Sequence, residues 1–195
     1  MTFSLIELTL RVAIVATLIN LPLALAVSWY LGRTNAPGRF LIEVIVSLPL
    51  ALPPVSIGFF LLLLLGREGV IGAVLAKLFA VDLVFTWIAA TIAAAVVSFP
   101  LMARAVMVAM SGVDKRLELA ARSLGASRWR VFATITLPLA YRGILAGMLL
   151  GFVRALSEFG ATIVVAGNIE GKTQTLPLAI YTLSLIHISE PTRLG

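Results

Sequence analysis

Four stretches of this chain, at about residues 6–31, 41–65, 83–110 and 143–166, each run for more than twenty residues with almost no charge. A bilayer core about 30 Å thick is crossed by roughly 20 helical residues, so each stretch is long enough to span. Hydrocarbon offers no hydrogen-bond partners, and a spanning segment must satisfy its own backbone. Continuous apolar runs of this length do so as helices, because barrel strands are shorter and alternate in polarity. The expected fold is all-α, a polytopic transmembrane helical bundle. With 61% hydrophobic residues, 12% charged residues and a mean hydropathy of +1.09, an ordinary soluble domain is excluded.

Loop charge orients the bundle. The turn after the first run holds Arg33 and Arg39 around Pro37 and Gly38, and the stretch 111–142 holds Lys115, Arg116, Arg122, Arg128, Arg130 and Arg142. The other connections hold only Arg67, Lys77 and Lys172. Eight bases against three place the first group in the cytoplasm. The excess of 15 Lys and Arg over 9 Asp and Glu, which in a soluble chain points to nucleic acid, is therefore read as topology, and no nucleic-acid partner is expected. The first run lacks the basic start and cleavage site of a signal peptide and is read as retained. With no cysteine and a single histidine, His187, the chain offers neither disulfides nor thiol chemistry, and no metal site is expected.

Inside the spans, polar residues and helix breakers are the informative positions. Pro49, Pro53 and Pro54 should kink the second span, and a kink in lipid is tolerated where protein or a wet cavity re-satisfies the freed carbonyls. That makes them candidate pathway residues, with a packing kink as the other reading. Arg154 and Glu158, four apart in the fourth span, need each other or a wet cavity at that depth. With Ser157 they either line the pathway or form a local ion pair holding helix geometry. Gly143, Gly147 and Gly151 recur every four residues and present a glycine face for helix packing. Trp87 suits an interface anchor, Arg104 can snorkel, and Glu43 reads as a helix-end residue. Residues 70–76 are too short to span.

The stretch 111–142 stands out against this background. Asp114 suits an N-cap, and Leu117, Ala120, Ala121 and Leu124 follow at the spacing of one helix face, with Glu118 and Arg122 set to pair on another. Gly125 is placed to end that helix with positive φ, Ser127 to cap a second, and Pro138 to stop it. The expectation is a short helix, a tight turn and a second helix. A solvated connector is one reading. A DNA-binding helix-turn-helix is a second, opposed by the tether to membrane at both ends and the lack of a supporting helix. A docking element for a cytoplasmic partner is the third.

Ala120-Ala121-x3-Gly125-x9-Ile135-x-Leu137-Pro138 resembles the EAA loop of the membrane subunits of bacterial ATP-binding-cassette importers. The acid that usually adjoins the alanines is replaced by Leu119, and Glu118 stands one place earlier, as is common in the molybdate branch. Leu48-Pro49-Leu50-Ala51-Leu52-Pro53-Pro54 and Ser157-Glu158-Phe159-Gly160-Ala161-Thr162 resemble that branch too, with Ser157 in place of the usual glycine. The resemblance covers the chain to about Leu183. It implies the type I ABC importer permease fold lacking its last helix, a permease domain at 1–183, and coupling to an ATPase through Leu117, Glu118, Ala120, Ala121, Leu124, Gly125 and Pro138. It also implies a second copy of the permease (a homodimer), two ATP-binding cassette ATPase subunits, and a periplasmic or surface oxyanion-binding protein. The chain would be no enzyme and carry no cofactor, with ATP and Mg on the partner ATPase, and it would sit in the bacterial inner membrane.

Ala166-x4-Gly171-Lys172-Thr173 matches a loose phosphate-loop pattern, but it follows a membrane span, meets Pro177 and lies on the outer side, so no nucleotide site is expected. Residues 184–195 carry no family feature and read as a non-native tail. Sulfate, thiosulfate and tungstate permeases share the architecture. An ion-coupled secondary transporter, which should show inverted repeats, and a non-transporting scaffold are the alternatives from other classes.

Overall fold

The computed structural model describes residues 2–32, 37–79 and 82–189, with side chains for 4–32, 37–78 and 82–185. Arg33 of the basic turn and residues 190–195 of the tail lie outside the described residues, as does the side chain of His187. The element order is α1 (Thr2–Leu31), α2 (Arg39–Ala51), α3 (Pro54–Leu65), α4 (Val70–Phe79), α5 (Trp87–Ser111), α6 (Lys115–Ser123) and α7 (Arg128–Val131). A π-helical turn (Phe132–Thr136), α8 (Leu137–Leu156), α9 (Gly160–Val165) and α10 (Leu176–Ser189) complete it. Among the described residues there is no strand.

The packing logic is that of lipid. Because acyl chains are as apolar as leucine, helices gain little by hiding leucine from them, and close backbone approach holds them together instead. On α1, Ile6, Leu10, Ile14 and Leu18 are exposed while Ala13, Ala16, Asn20, Ala24 and Ser28 are buried. α5 answers with Ala89, Ala90, Ala93, Ala94 and Ala103, each at most 1% exposed. α5 is the centre of the bundle, packed along both α1 and α8. Two apolar clusters form, one around Val12, Ala16, Ala93 and Val165, the other around Ala24, Met102, Val106 and Ile144. Along α1 and α5 a polar layer separates them. There the Asn20 amide donates to the Ala95 carbonyl at 2.9 Å and to the Ser98 hydroxyl at 3.1 Å.

Several sequence expectations change here. The second span is broken rather than kinked: α2 and α3 meet at an angle of 113°. Pro49 sits inside α2 without ending it, and the break falls at Leu52, whose ψ of 142° is the extended conformation that a following proline imposes. Pro138 does not stop a helix. Arg128–Leu156 is one apolar rod long enough to cross a membrane, with Pro138 near the start of α8. The π turn just before it, in which the Leu137 N–H donates to Phe132 O, widens the helix where the proline ring needs room. The span expected at 143–166 therefore starts earlier, and it breaks after Leu156 before resuming as α9. At the far end α10 continues through Ser184 to Ser189 without a break at the expected tail boundary.

Candidate functional site

Two regions contain the residues singled out by sequence. The first is the basic end of the bundle. Asp114 caps α6 by accepting from the Arg116 N–H at 2.9 Å, and Ser127 caps α7 by accepting from the Arg130 N–H at 3.3 Å. Between them Gly125 has φ +86°, the left-handed region that an L side chain enters only with strain. The unit is thus a helix, a tight glycine turn and a second helix that runs straight into a membrane span.

Its outward side is apolar and uncovered. On it Leu117 is exposed, Leu124 is 89% exposed at the end of α6, and Ala120 is exposed beside a half-buried Ala121; Trp129 of α7 is exposed as well, while Leu119 lines the opposite, inward side of α6. Pro138 is exposed at the foot of α8. The expected Glu118–Arg122 pair is absent: no ion pair among the described residues joins them, and Glu118 instead accepts a hydrogen bond from the Thr136 hydroxyl at 2.7 Å. Thr136 is buried, and nothing in the linear pattern marked it because it lies 18 residues away. Trp29 at the end of α1 packs edge-on against Trp129 with ring centroids 5.9 Å apart and against Phe132 at 5.6 Å. Behind α6, toward α1 and α5, lies a cavity of about 910 Å³ whose walls include Arg39, Lys115, Arg122 and Arg128 as well as Glu118 and Thr136.

The second region is where the two broken spans meet. α3 lies against α9, and glycine makes the approach possible: a Cβ at Gly58 would come within 2.6 Å of the Ala161 carbonyl, and one at Gly160 within 3.0 Å of Pro54. Gly58 was not singled out by sequence, and Gly160 entered only within the run Ser157 to Thr162, since neither belongs to a spaced pattern. Between α8 and α9, Arg154 and Glu158 form an ion pair at 2.7 Å. Glu158 is 3% exposed, and its second carboxylate oxygen accepts from the Ala161 N–H at 2.8 Å, so it also caps α9. Ser157 is exposed at the break, its hydroxyl donating back to Arg154 O at 3.1 Å, and Pro53 is exposed at the other break. The local ion-pair reading of Arg154 and Glu158 thus has a geometric basis that the sequence could not supply.

The remaining positions have structural partners. Gly143, Gly147 and Gly151 lie against Ala109, Ala105 with Val106, and Met102 of α5. Arg104 donates to the Ser47 hydroxyl at 2.9 Å, Glu43 pairs with Arg39, and Trp87 lies beneath the Arg11 guanidinium at 4.0 Å. In the phosphate-loop look-alike the N–H groups of Lys172, Thr173 and Gln174 all donate to Ile169 O.

Spanning helices, two breaks in contact and a basic helix-turn-helix in line with a span define a multi-pass membrane component. Residues 8–192 match the family described as binding-protein-dependent transport system inner membrane component, and the chain belongs to that family. It is accordingly a multi-pass inner membrane protein. It is 51% identical over 182 residues to the molybdenum transport system permease protein ModB of Haemophilus influenzae, covering 93% of this chain and 80% of that one. To the sulfate transport system permease protein CysW of Synechocystis sp. it is 37% identical, covering 91% of this chain and 64% of that one. A crystal structure of an amino acid ABC transporter with histidines superposes with a TM-score of 0.61 at 18% identity, covering 95% of this chain and 86% of that chain, a likeness of fold.

Proposed function

We propose that the chain is the membrane permease subunit of an ATP-driven importer of molybdate, forming the translocation pathway and coupling it to a separate ATPase subunit. The observation that carries this reading is the uncovered apolar side of α6 and α7, held by two caps and a glycine turn and continuous with a membrane span. Ordering so much exposed leucine and tryptophan outside the lipid gains nothing unless another protein covers it. Leu117, Ala120, Ala121 and Leu124 form the face that would enter a cleft of the ATPase, with Gly125 fixing the turn. ATP and Mg would be held by that partner, and this chain would supply no hydrolysis. Two copies of the permease would pair, with two ATPase subunits on the cytoplasmic side and an oxyanion-binding protein outside.

On this reading the pathway runs by the meeting of the two broken spans, near Pro49, Pro53, Pro54, Arg154, Ser157 and Glu158. Breaks in spanning helices are tolerated where they line a route through the membrane. Molybdate is chosen over sulfate because identity falls from 51% to 37% between the relatives named for the two anions. Vesicles carrying the permease, its ATPase and its binding protein should take up molybdate only with internal ATP. Uptake of sulfate in preference would transfer the assignment to the sulfate branch, and ATP-independent uptake would refute the coupling.

A further inference from the structure

Threonines in the helices of this chain have a habit. Thr9, Thr17, Thr91, Thr134 and Thr182 each donate their hydroxyl to the carbonyl four residues back, at 2.6 to 3.0 Å. Thr136 departs from it: the carbonyl four back, Phe132 O, already accepts the Leu137 N–H in the π register, and the hydroxyl crosses to Glu118 of α6 at 2.7 Å. Thr136 is 5% exposed at the foot of α8, while α6 has a cavity of about 910 Å³ behind it. The docking helix therefore has room to swing, and this hydrogen bond fastens it to the rod that enters the membrane.

We propose that Glu118 is a positioning residue, an internal tether that transmits movement of α6 to α8 through Thr136, rather than a charged contact with the ATPase. This rests on the coupling function proposed above. A push on the apolar face of α6 would otherwise be absorbed by rotation into the cavity. The π turn, a wider and locally adaptable piece of helix, carries Thr136 as its last residue, and its residues between α7 and Thr136 are the natural hinge. The Trp29, Trp129 and Phe132 cluster holds the other edge of the unit to α1.

The tether needs an acceptor on residue 118, not a charge, and this separates it from an ion pair with a partner protein. The chain has no cysteine, so spin labels at Ser123→Cys and Leu145→Cys report the α6 to α8 distance without background. The wild type should give one narrow distance. Thr136→Val and Glu118→Ala should each raise a second, detached population by about tenfold, the size set by losing one hydrogen bond to a charged group. Thr136→Ser and Glu118→Gln should keep the narrow distance.

In reconstituted transporter, the two disruptive variants should still co-purify with the ATPase and hydrolyse at least about twice the ATP per oxyanion delivered. The double variant should be no worse than either single, since both remove the same bond. A Glu118→Gln variant as impaired as Glu118→Ala, or loss of the ATPase with Glu118→Ala but not with Thr136→Val, would overturn the tether and make Glu118 a docking contact. An unchanged distance in Thr136→Val would also overturn it. A wild type with the narrow distance but no ATP-dependent uptake would overturn the proposed function and leave the tether standing.

Discussion

The basic end and the junction of the broken spans are built on opposite terms. At the junction every exceptional group has its partner within the chain: Glu158 is buried against Arg154 and the Ala161 N–H, and glycines let α3 and α9 touch. At the basic end the backbone is equally well capped, yet Leu117 and Leu124 stand exposed. The first region is complete in one polypeptide, and the second is, on the function proposed above, ordered for a surface that another molecule provides. Damage to the junction should therefore register as lost stability. Damage to the basic end should register as lost transport in a protein that remains folded.

The largest expected effect is at the junction. Glu158→Ala leaves Arg154 without its counter-ion in the membrane and removes the cap of α9, which should destabilise by about 3 kcal/mol and lower Tm in detergent. Glu158→Gln, keeping an acceptor for Ala161, should fall between. Next, Gly58→Ala drives a methyl into the Ala161 backbone and should destabilise by about 2 kcal/mol. Gly151→Ala meets side-chain atoms of Met102 alone, its Cε at 2.5 Å and its Cβ at 3.0 Å, with no backbone in the way, and should cost less than Gly58→Ala, about 1 kcal/mol. If the two glycine variants have equal Tm values, the tight contact at the junction is not limiting.

Gly125→Val tests the other side of the contrast. Its φ of +86° strains a β-branched residue by about 1–2 kcal/mol, a local penalty that should reshape the turn, abolish ATP-dependent uptake and leave Tm nearly unchanged. A normal uptake rate would show that the turn need not be held. The smallest effect is expected at Asp82, whose exposed carboxyl is held below its ordinary value by the hydrogen bond from Arg67, reinforced by that residue's charge. A depressed folded value means that the contribution is fully present above about pH 4 and is lost as pH falls through the folded value. Asp82→Asn should match the wild type in uptake at neutral pH, and any Tm difference should vanish on acidification.

Much of this was legible in the chain because it depends on neighbours in sequence. Asp114, Ser127 and Gly125 could be assigned to caps and a turn since the backbone groups they serve lie within a few residues. The apolar runs announced helices because lipid leaves the backbone no other choice. Pro138 misled because its ring was weighed against a regular helix, whereas the π turn before it makes room. Glu118 misled because Arg122 is its nearest opposite charge in sequence, while a threonine 18 residues away is its partner in space.

The sequence by itself determined that this protein is a helical membrane bundle, which end is basic, and that a capped helix-turn-helix interrupts the spans. Those follow from hydrophobic length, loop charge and local capping. Only the tertiary structure decided that α3 and α9 meet at their breaks, that Glu158 caps as well as pairs, and that Glu118 is fastened to Thr136. In lipid, helix contacts are selected by close backbone approach and matched polar groups rather than by hydrophobicity. Apart from the repeat of Gly143, Gly147 and Gly151, such contacts leave no periodic trace in this apolar chain.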